Sequence, residues 1–164
     1  MNVELDEAVQ ISFSPDSKAF VTTLKLDNEI QVWKISKKPT DPHKMTAVPY
    51  HKYETNCKAT TFVGFAVSST GRYMATFSED SHLKLWSLKG TPFHTLDTRQ
   101  GVGAGLEMSH NGNLVAVYGF TSEVRVFEVE FNRNGDFVDM KRAFELGGHH
   151  KSMVSCAFDR DTKK

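Results

Sequence analysis

Cysteine is almost missing from this 164-residue chain, which has only Cys57 and Cys156. The two stand far apart and form no paired spacing. That excludes a disulfide framework or a cysteine-rich metal site and makes a reducing compartment the simpler setting. Net charge is missing as well. Lys and Arg total 20 against 20 Asp and Glu, with a pI near 7.1, so no excess charge holds the chain on nucleic acid or an anionic membrane without sequence preference. No apolar run approaches the ~18 residues of a membrane helix. The opening Met1-Asn-Val-Glu-Leu-Asp-Glu7 is acidic and lacks a signal-peptide core, and no N-glycosylation sequon occurs. These absences predict a soluble, cytosolic segment. Hydrophobic residues make up 39%, below the usual globular share, so a core must rest on Phe (12 residues), Val and Leu in alternating strands.

What is present is a repeat. Asp80-Ser-His-Leu-Lys-Leu-Trp86 echoes Asp27-Asn-Glu-Ile-Gln-Val-Trp33, with the same gap and the same apolar alternation. Three copies align: VQISFSPDSKAFVTTLKLDNEIQVWKI from Val9, VGFAVSSTGRYMATFSEDSHLKLWSL from Val63 and GLEMSHNGNLVAVYGFTSEVRVFEV from Gly105. A fourth opens at Gly148. Each copy has an apolar strand, a polar turn (Ser14 to Ser17, Ser68 to Gly71, Ser109 to Gly112), a second strand, another turn, and a third strand ending on Trp33, Trp86 or Phe127. After each aromatic there is room for a fourth strand. Asn132-Arg-Asn-Gly135 and Lys89-Gly90 supply two of the turns, Asn-Gly being suited to the positive φ of a tight hairpin.

Four-stranded antiparallel units recurring about every 40–45 residues predict an all-β propeller with units at about 9–53, 62–97 and 103–146 and the start of a fourth at 148–164. Residues 36–60 carry three prolines and many charges, which predicts an insertion loop with one edge strand near Met45 to Tyr53. A closed seven-bladed ring needs roughly 300 residues, so the expectation is an incomplete ring, about three blades plus the strand Met153 to Phe158. The remaining blades of the parent chain are then partners of this segment.

These residues resemble the WD-repeat family of β-propellers. In that family a Gly-His pair precedes the first strand, an aspartate sits in the turn before the third, and Trp-Asp ends it. Gly148-His149 fits the first element, and Asp27 with Trp33 and Asp80 with Trp86 fit the others. Lys34 and Ser87 follow the tryptophans instead of aspartate, Thr121 and Phe127 occupy the third copy, and no Gly-His precedes the first three copies. The resemblance implies a linked set of aspartate, histidine, strand hydroxyl and indole N–H. Asp80, Ser78 and Trp86 offer most of it, and no histidine completes it. The stretches LWSLKGTPFHTLDT, SHNGNLVAVYGFTSEVRVFEVEFNRNGDF and RAFELGGHHKSMVSCAF are similar to the transducin β-like branch of the family, specifically from Leu83 to Phe158 and more weakly before Val63. That similarity implies a propeller at the cytosolic face of the endoplasmic reticulum, tethered by an N-terminal membrane segment that these residues do not contain. It further implies an adaptor role in stress-linked control of translation.

No residue set points to catalysis, a cofactor or a metal. Gly101-Val-Gly103-Ala-Gly105 misses the phosphate-loop spacing because Leu106 takes the last glycine position, and no helix pattern follows. Small residues there suit an innermost strand at a crowded axis. Asp80-Ser81-His82 gathers triad residue types, but neighbours in one tight turn do not converge as a relay does. His149-His150 cannot chelate one ion from a strand without other ligands. Lys37-Lys38 and Lys163-Lys164 are too short to neutralise much phosphate. The leading expectation is a non-enzymatic scaffold for other proteins. Its alternatives are an RNA-binding propeller using Lys37, Lys38 and Lys44, or an enzyme with a channel site near Glu107 and His110. Partner contacts are expected on the loops gathered at one face, at Leu26 to Asn28, Glu79 to Ser81, Phe120 to Ser122, Tyr53 to Thr60, Thr98 to Gly103 and Gly147 to Ser152. Phe120 is either an exposed anchor there or a turn residue buried against the next blade.

Overall fold

The computed structural model describes residues 8–14, 17–24, 29–38, 41–53 and 62–159. The strands are β1 (Ala8–Phe13), β2 (Ala19–Leu24), β3 (Ile30–Lys38), β4 (Asp41–Tyr53), β5 (Phe62–Val67), β6 (Tyr73–Ser78), β7 (His82–Ser87), β8 (Pro92–Asp97), β9 (Gly103–Met108), β10 (Leu114–Gly119), β11 (Val124–Phe131) and β12 (Phe137–Leu146). They form three four-stranded antiparallel meanders, β1 to β4, β5 to β8 and β9 to β12, each paired in sequence order. The fold is all-β, as expected of an incomplete WD propeller. Two compact units divide it, Met1–Thr60 and Thr61–Lys164.

The polar turns between first and second strands are built alike in every sheet. Ser17, Gly71 and Gly112 each donate a backbone bond of 2.9 Å to the serine three residues earlier. All three lie in the left-handed region, at φ 55°, 66° and 70°. In the first and third copies the serine hydroxyl also accepts from the backbone N–H opening the second strand, Ala19 at 3.0 Å and Leu114 at 2.9 Å. Serine suits this place because its short side chain bonds the backbone of its own turn.

In the first unit, Phe20 stacks on Trp33 with ring centroids 5.8 Å apart and planes 5° from parallel, and Phe13 contacts Phe20 at 5.7 Å. Phe20 pairs in register with both Phe13 and Trp33, so alternation places the three rings on one face. The fourth strand is longer than expected. The sequence predicts a loop over 36–60 with an edge strand near Met45, whereas β3 continues to Lys38 and β4 already begins at Asp41. Pro42 and Pro49 do not break β4 because it is the outermost strand, where the missing N–H costs no ladder bond on the open side. Cys57 and the expected contact loop 54–60 lie outside the described residues.

In the second unit the core lies between two sheets. Tyr73, Ala75 and Phe77 of β6 and Leu83 and Leu85 of β7 are fully buried against Leu106, Val115, Val117, Phe127, Val129 and Met140. The Tyr73 hydroxyl donates to Gly112 O at 2.7 Å, and Ser69 Oγ donates to His110 O, tying the two serine turns together. Burial raises the Tyr73 pKa, so the phenol stays a donor. The innermost strands approach closely, as the small residues of β9 suggest. A Cβ on Gly64 would lie 2.6 Å from Leu106 N. Asn132-Arg-Asn-Gly135 turns as a wider loop than a two-residue hairpin. Asn132 N donates to Asp136 O at 2.9 Å, and Gly135 alone takes positive φ, at 89°.

The segment Met153 to Phe158 lies on the outer face of the third sheet without a ladder of its own. Met153 N donates to Gly119 O at 3.1 Å. Met153 is buried against Ala116, Tyr118, Val124 and Val126, with Cys156 and Phe158 half-buried beside it. It takes an opening strand's place without strand geometry, because no described segment offers it a second strand to pair with.

Candidate functional site

Register aligns the repeat signature across the three sheets. Trp33 pairs with Phe20, Trp86 with Met74 and Phe127 with Val115. Two positions further along each second strand stand Thr22, Thr76 and Val117, all fully buried. Trp33 Nε1 donates to Thr22 Oγ1 at 3.1 Å, and Trp86 Nε1 donates to Thr76 Oγ1 at 2.9 Å. The indole's partner is thus Thr76 and not Ser78, whose hydroxyl donates to His82 O at 3.3 Å. Alternation explains the difference. Thr76 is diagonal to Trp86 on the same face, within reach of the indole N–H, while Ser78 lies a further pair away. The third sheet drops donor and acceptor together, with Phe127 and Val117 filling the same space.

The turns at the far end of these strands differ too. Asp27 lies outside the described residues. Asp80 serves its own turn: Oδ1 accepts from His82 N at 3.4 Å, and Oδ2 lies 3.2 Å from His82 Nδ1. Ser81 sits at φ 65° between them and is nearly buried. This is a local clamp, and among the described residues no separate element brings a nucleophile to the imidazole.

At the third copy's Thr121, a residue that the repeat pattern does not mark takes over. Gln100, from the β8–β9 connection, is wholly buried and donates from Nε2 to Thr121 Oγ1 at 2.6 Å and to Glu123 O. Arg125 of β11 links the same connection to the sheet. Its guanidinium donates to Thr98 O, pairs with Glu145 at 2.8 Å, and lies 3.6 Å from Glu123. Thr98 in turn bonds Ser81 O through its N–H and hydroxyl, both at 2.9 Å. A polar chain therefore runs from the β6–β7 turn to β12.

Above it the rim is apolar at one point. Phe120 is 69% exposed and Val102 46%. Phe120 N donates to Val102 O at 3.0 Å, and Gly103 N donates to Glu79 O at 3.2 Å, so three loops share one backbone-bonded edge. Among the described residues Phe120 is thus an exposed rim residue. Gly148 and His149 are exposed, and among the described residues nothing hydrogen-bonds the His149 ring. The loop Leu26 to Asn28 falls outside the described residues apart from its flank.

The residues named for other chemistries are dispersed. Glu107 lies in β9, half-buried, its carboxyl pushed above the usual range by burial, while His110 is exposed in the turn after it. Cys156, over the same face, has a thiol pushed up to about 11 by burial and then by Glu107, which keeps it protonated and unreactive. Among the described residues no three His, Cys, Asp or Glu side chains gather as a metal site, and no helix is long and apolar enough to cross a membrane. Lys37 is exposed on β3. The side chains of Lys38 and Lys44, and residues 163 and 164, lie outside the described set.

Residues 49–87 match the family model for WD domain, G-beta repeat, a span that holds the second copy through Trp86. Transducin beta-like protein 2 of Homo sapiens is 36% identical over 163 residues, which is 99% of this chain and 36% of that protein. The Mus musculus protein of the same name is 35% identical over the same span. The chain thus covers little more than a third of the length of these relatives. Among solved structures, KlHsv2 with loop 6CD replaced by a Gly-Ser linker superposes with a TM-score of 0.64 at 9% identity, over 88% of this chain and 46% of that one. At that identity the likeness concerns the fold alone. Strand topology, the recurring Trp–Thr bond and these matches converge: the chain carries WD-type repeats folded as propeller blades and is similar throughout to transducin beta-like protein 2.

Proposed function

We propose that this chain is a sector of a non-enzymatic WD-repeat scaffold that brings other proteins together, with a partner seated on the rim over Phe120. The observation that carries the reading is Phe120 itself, a large apolar side chain 69% exposed on an edge whose backbone is fixed by a bond to Val102. Rigid strands holding an exposed aromatic in register give an anchor a partner can bury without ordering the loop first. The Trp–Thr pairs are scaffold. Each joins a third strand to the second strand of its own sheet.

The similarity to transducin beta-like protein 2 supports carrying over the rest of the expectation, an adaptor at the cytosolic face of the endoplasmic reticulum in stress-linked control of translation. Affinity capture with the complete protein and its Phe120→Ala variant, read by quantitative mass spectrometry, tests the docking face. The reading expects a defined subset of partners to fall at least about tenfold, the loss of a hot-spot side chain. Identical partner profiles would remove Phe120 from the function. Fractionation of the tagged complete protein tests location, with membrane-associated signal expected and a purely cytosolic pool contradicting it.

A further inference from the structure

We infer that Gln100 is a positioning residue for the Phe120 anchor. The inference rests on the docking reading above and extends it to a residue no partner can touch. Arg99 at φ 53° and Gly101 at φ 74° flank Gln100 with left-handed backbone, so the β8–β9 connection turns residue 100 inward while its neighbours stay exposed. The Gln100 side chain passes beneath the β10–β11 turn. There its amide donates to both Thr121 Oγ1 and Glu123 O, the first residue after Phe120 and the last before β11. A third bond inside the turn, Thr121 Oγ1 to Glu123 O at 3.3 Å, completes a closed ring of contacts.

The amide's orientation is not free. Turned over, its Oε1 would face the Glu123 carbonyl, acceptor against acceptor. In the observed orientation Oε1 is buried without a partner among the described residues. The side chain thus leaves its acceptor unsatisfied while both donors go to the turn that carries the anchor. A residue kept only for packing would do as well or better as Met or Leu, which would bury no orphan oxygen.

Amide hydrogen exchange of residues 119–124, together with capture by the complete protein, tests this on wild type, Gln100→Met, Gln100→His and Phe120→Ala. Gln100→Met keeps the volume and removes the donors, whereas His keeps one N–H donor. The expected result has Gln100→Met melting within a few degrees of wild type, exchange across 119–124 about tenfold faster, and the Phe120-dependent partners lost as in Phe120→Ala. Gln100→His should restore part of both. Faster exchange with capture unchanged, or no change in exchange, overturns the positioning role and leaves the docking reading standing. A Phe120→Ala profile equal to wild type sinks both.

Discussion

Trp86 and Phe127 stand at the same register in neighbouring sheets and are held by different chemistry. In the second copy a buried hydrogen bond of 2.9 Å joins Trp86 to Thr76, and Asp80 organises its turn through His82. In the third copy Phe127 and Val117 pack without any polar atom, the turn is held from outside by Gln100, and Arg125 of β11 reaches back to Thr98 O of the same connection. The comparison teaches that a repeat position fixes a volume and a face, while the polar groups needed there can be paired, removed together, or supplied from a distant segment. A single missing partner is costly at such a site, since one buried hydroxyl left unpaired costs about 1–3 kcal/mol.

The largest expected break comes from truncating the aromatic itself. Trp86→Ala and Phe127→Ala should each cost about 3–5 kcal/mol in urea unfolding, the Trp variant more because it also strands Thr76 Oγ1. Next in size is Arg125→Met, about 2 kcal/mol, because it leaves Thr98 O without its charged donor and removes one of the two arginines, Arg125 and Arg142, that pair with Glu145. A finer probe converts one copy into the other. Trp86→Phe and Thr76→Val each lose a partner, but the double variant recreates the pair of the third copy. It should therefore be less destabilised than the sum of the singles by about 1 kcal/mol. Additivity would mean that the indole bond contributes nothing.

The smallest effect concerns Glu107, whose counterpart by register in the second sheet is Ala66. Burial raises the Glu107 carboxyl pKa in the folded state, so the fold binds its proton more tightly than the unfolded chain does. Stability from this group is present below the ordinary glutamate range and is lost as pH rises through the raised value. Glu107→Gln should therefore raise the melting temperature slightly near pH 7 and leave it unchanged near pH 4, and a uniform shift at both would assign the effect to packing instead.

Much of this comparison was legible in the sequence. The serine turns at Ser14, Ser68 and Ser109 and the three aromatic endpoints follow from local spacing, and they fold as that spacing requires. Thr76 could have been found as well, because Trp86 and Trp33 reach threonines 10 and 11 residues back. Ser78 stands nearer Asp80 in the chain, but the register places it a further pair away from Trp86. Gln100 and Arg125 left no local signal. The bonds that join them across the β8–β9 connection, Gln100 to Thr121 and Glu123 and Arg125 to Thr98, span 21 to 27 residues and are brought about only by the register of one sheet against the next connection. The long β4 was obscured by prolines that read as loop in isolation and are acceptable on an outer strand.

The central claim is that the repeat signature is scaffold and the exposed rim is the working surface. Partner capture at equal folded concentration, measured side by side for Trp86→Phe and Phe120→Ala with melting curves for each, tests it most directly. The account predicts that Trp86→Phe melts lower yet captures the wild-type partners, while Phe120→Ala melts as wild type and loses them. Loss of partners by folded Trp86→Phe, with Phe120→Ala retaining them, would contradict it.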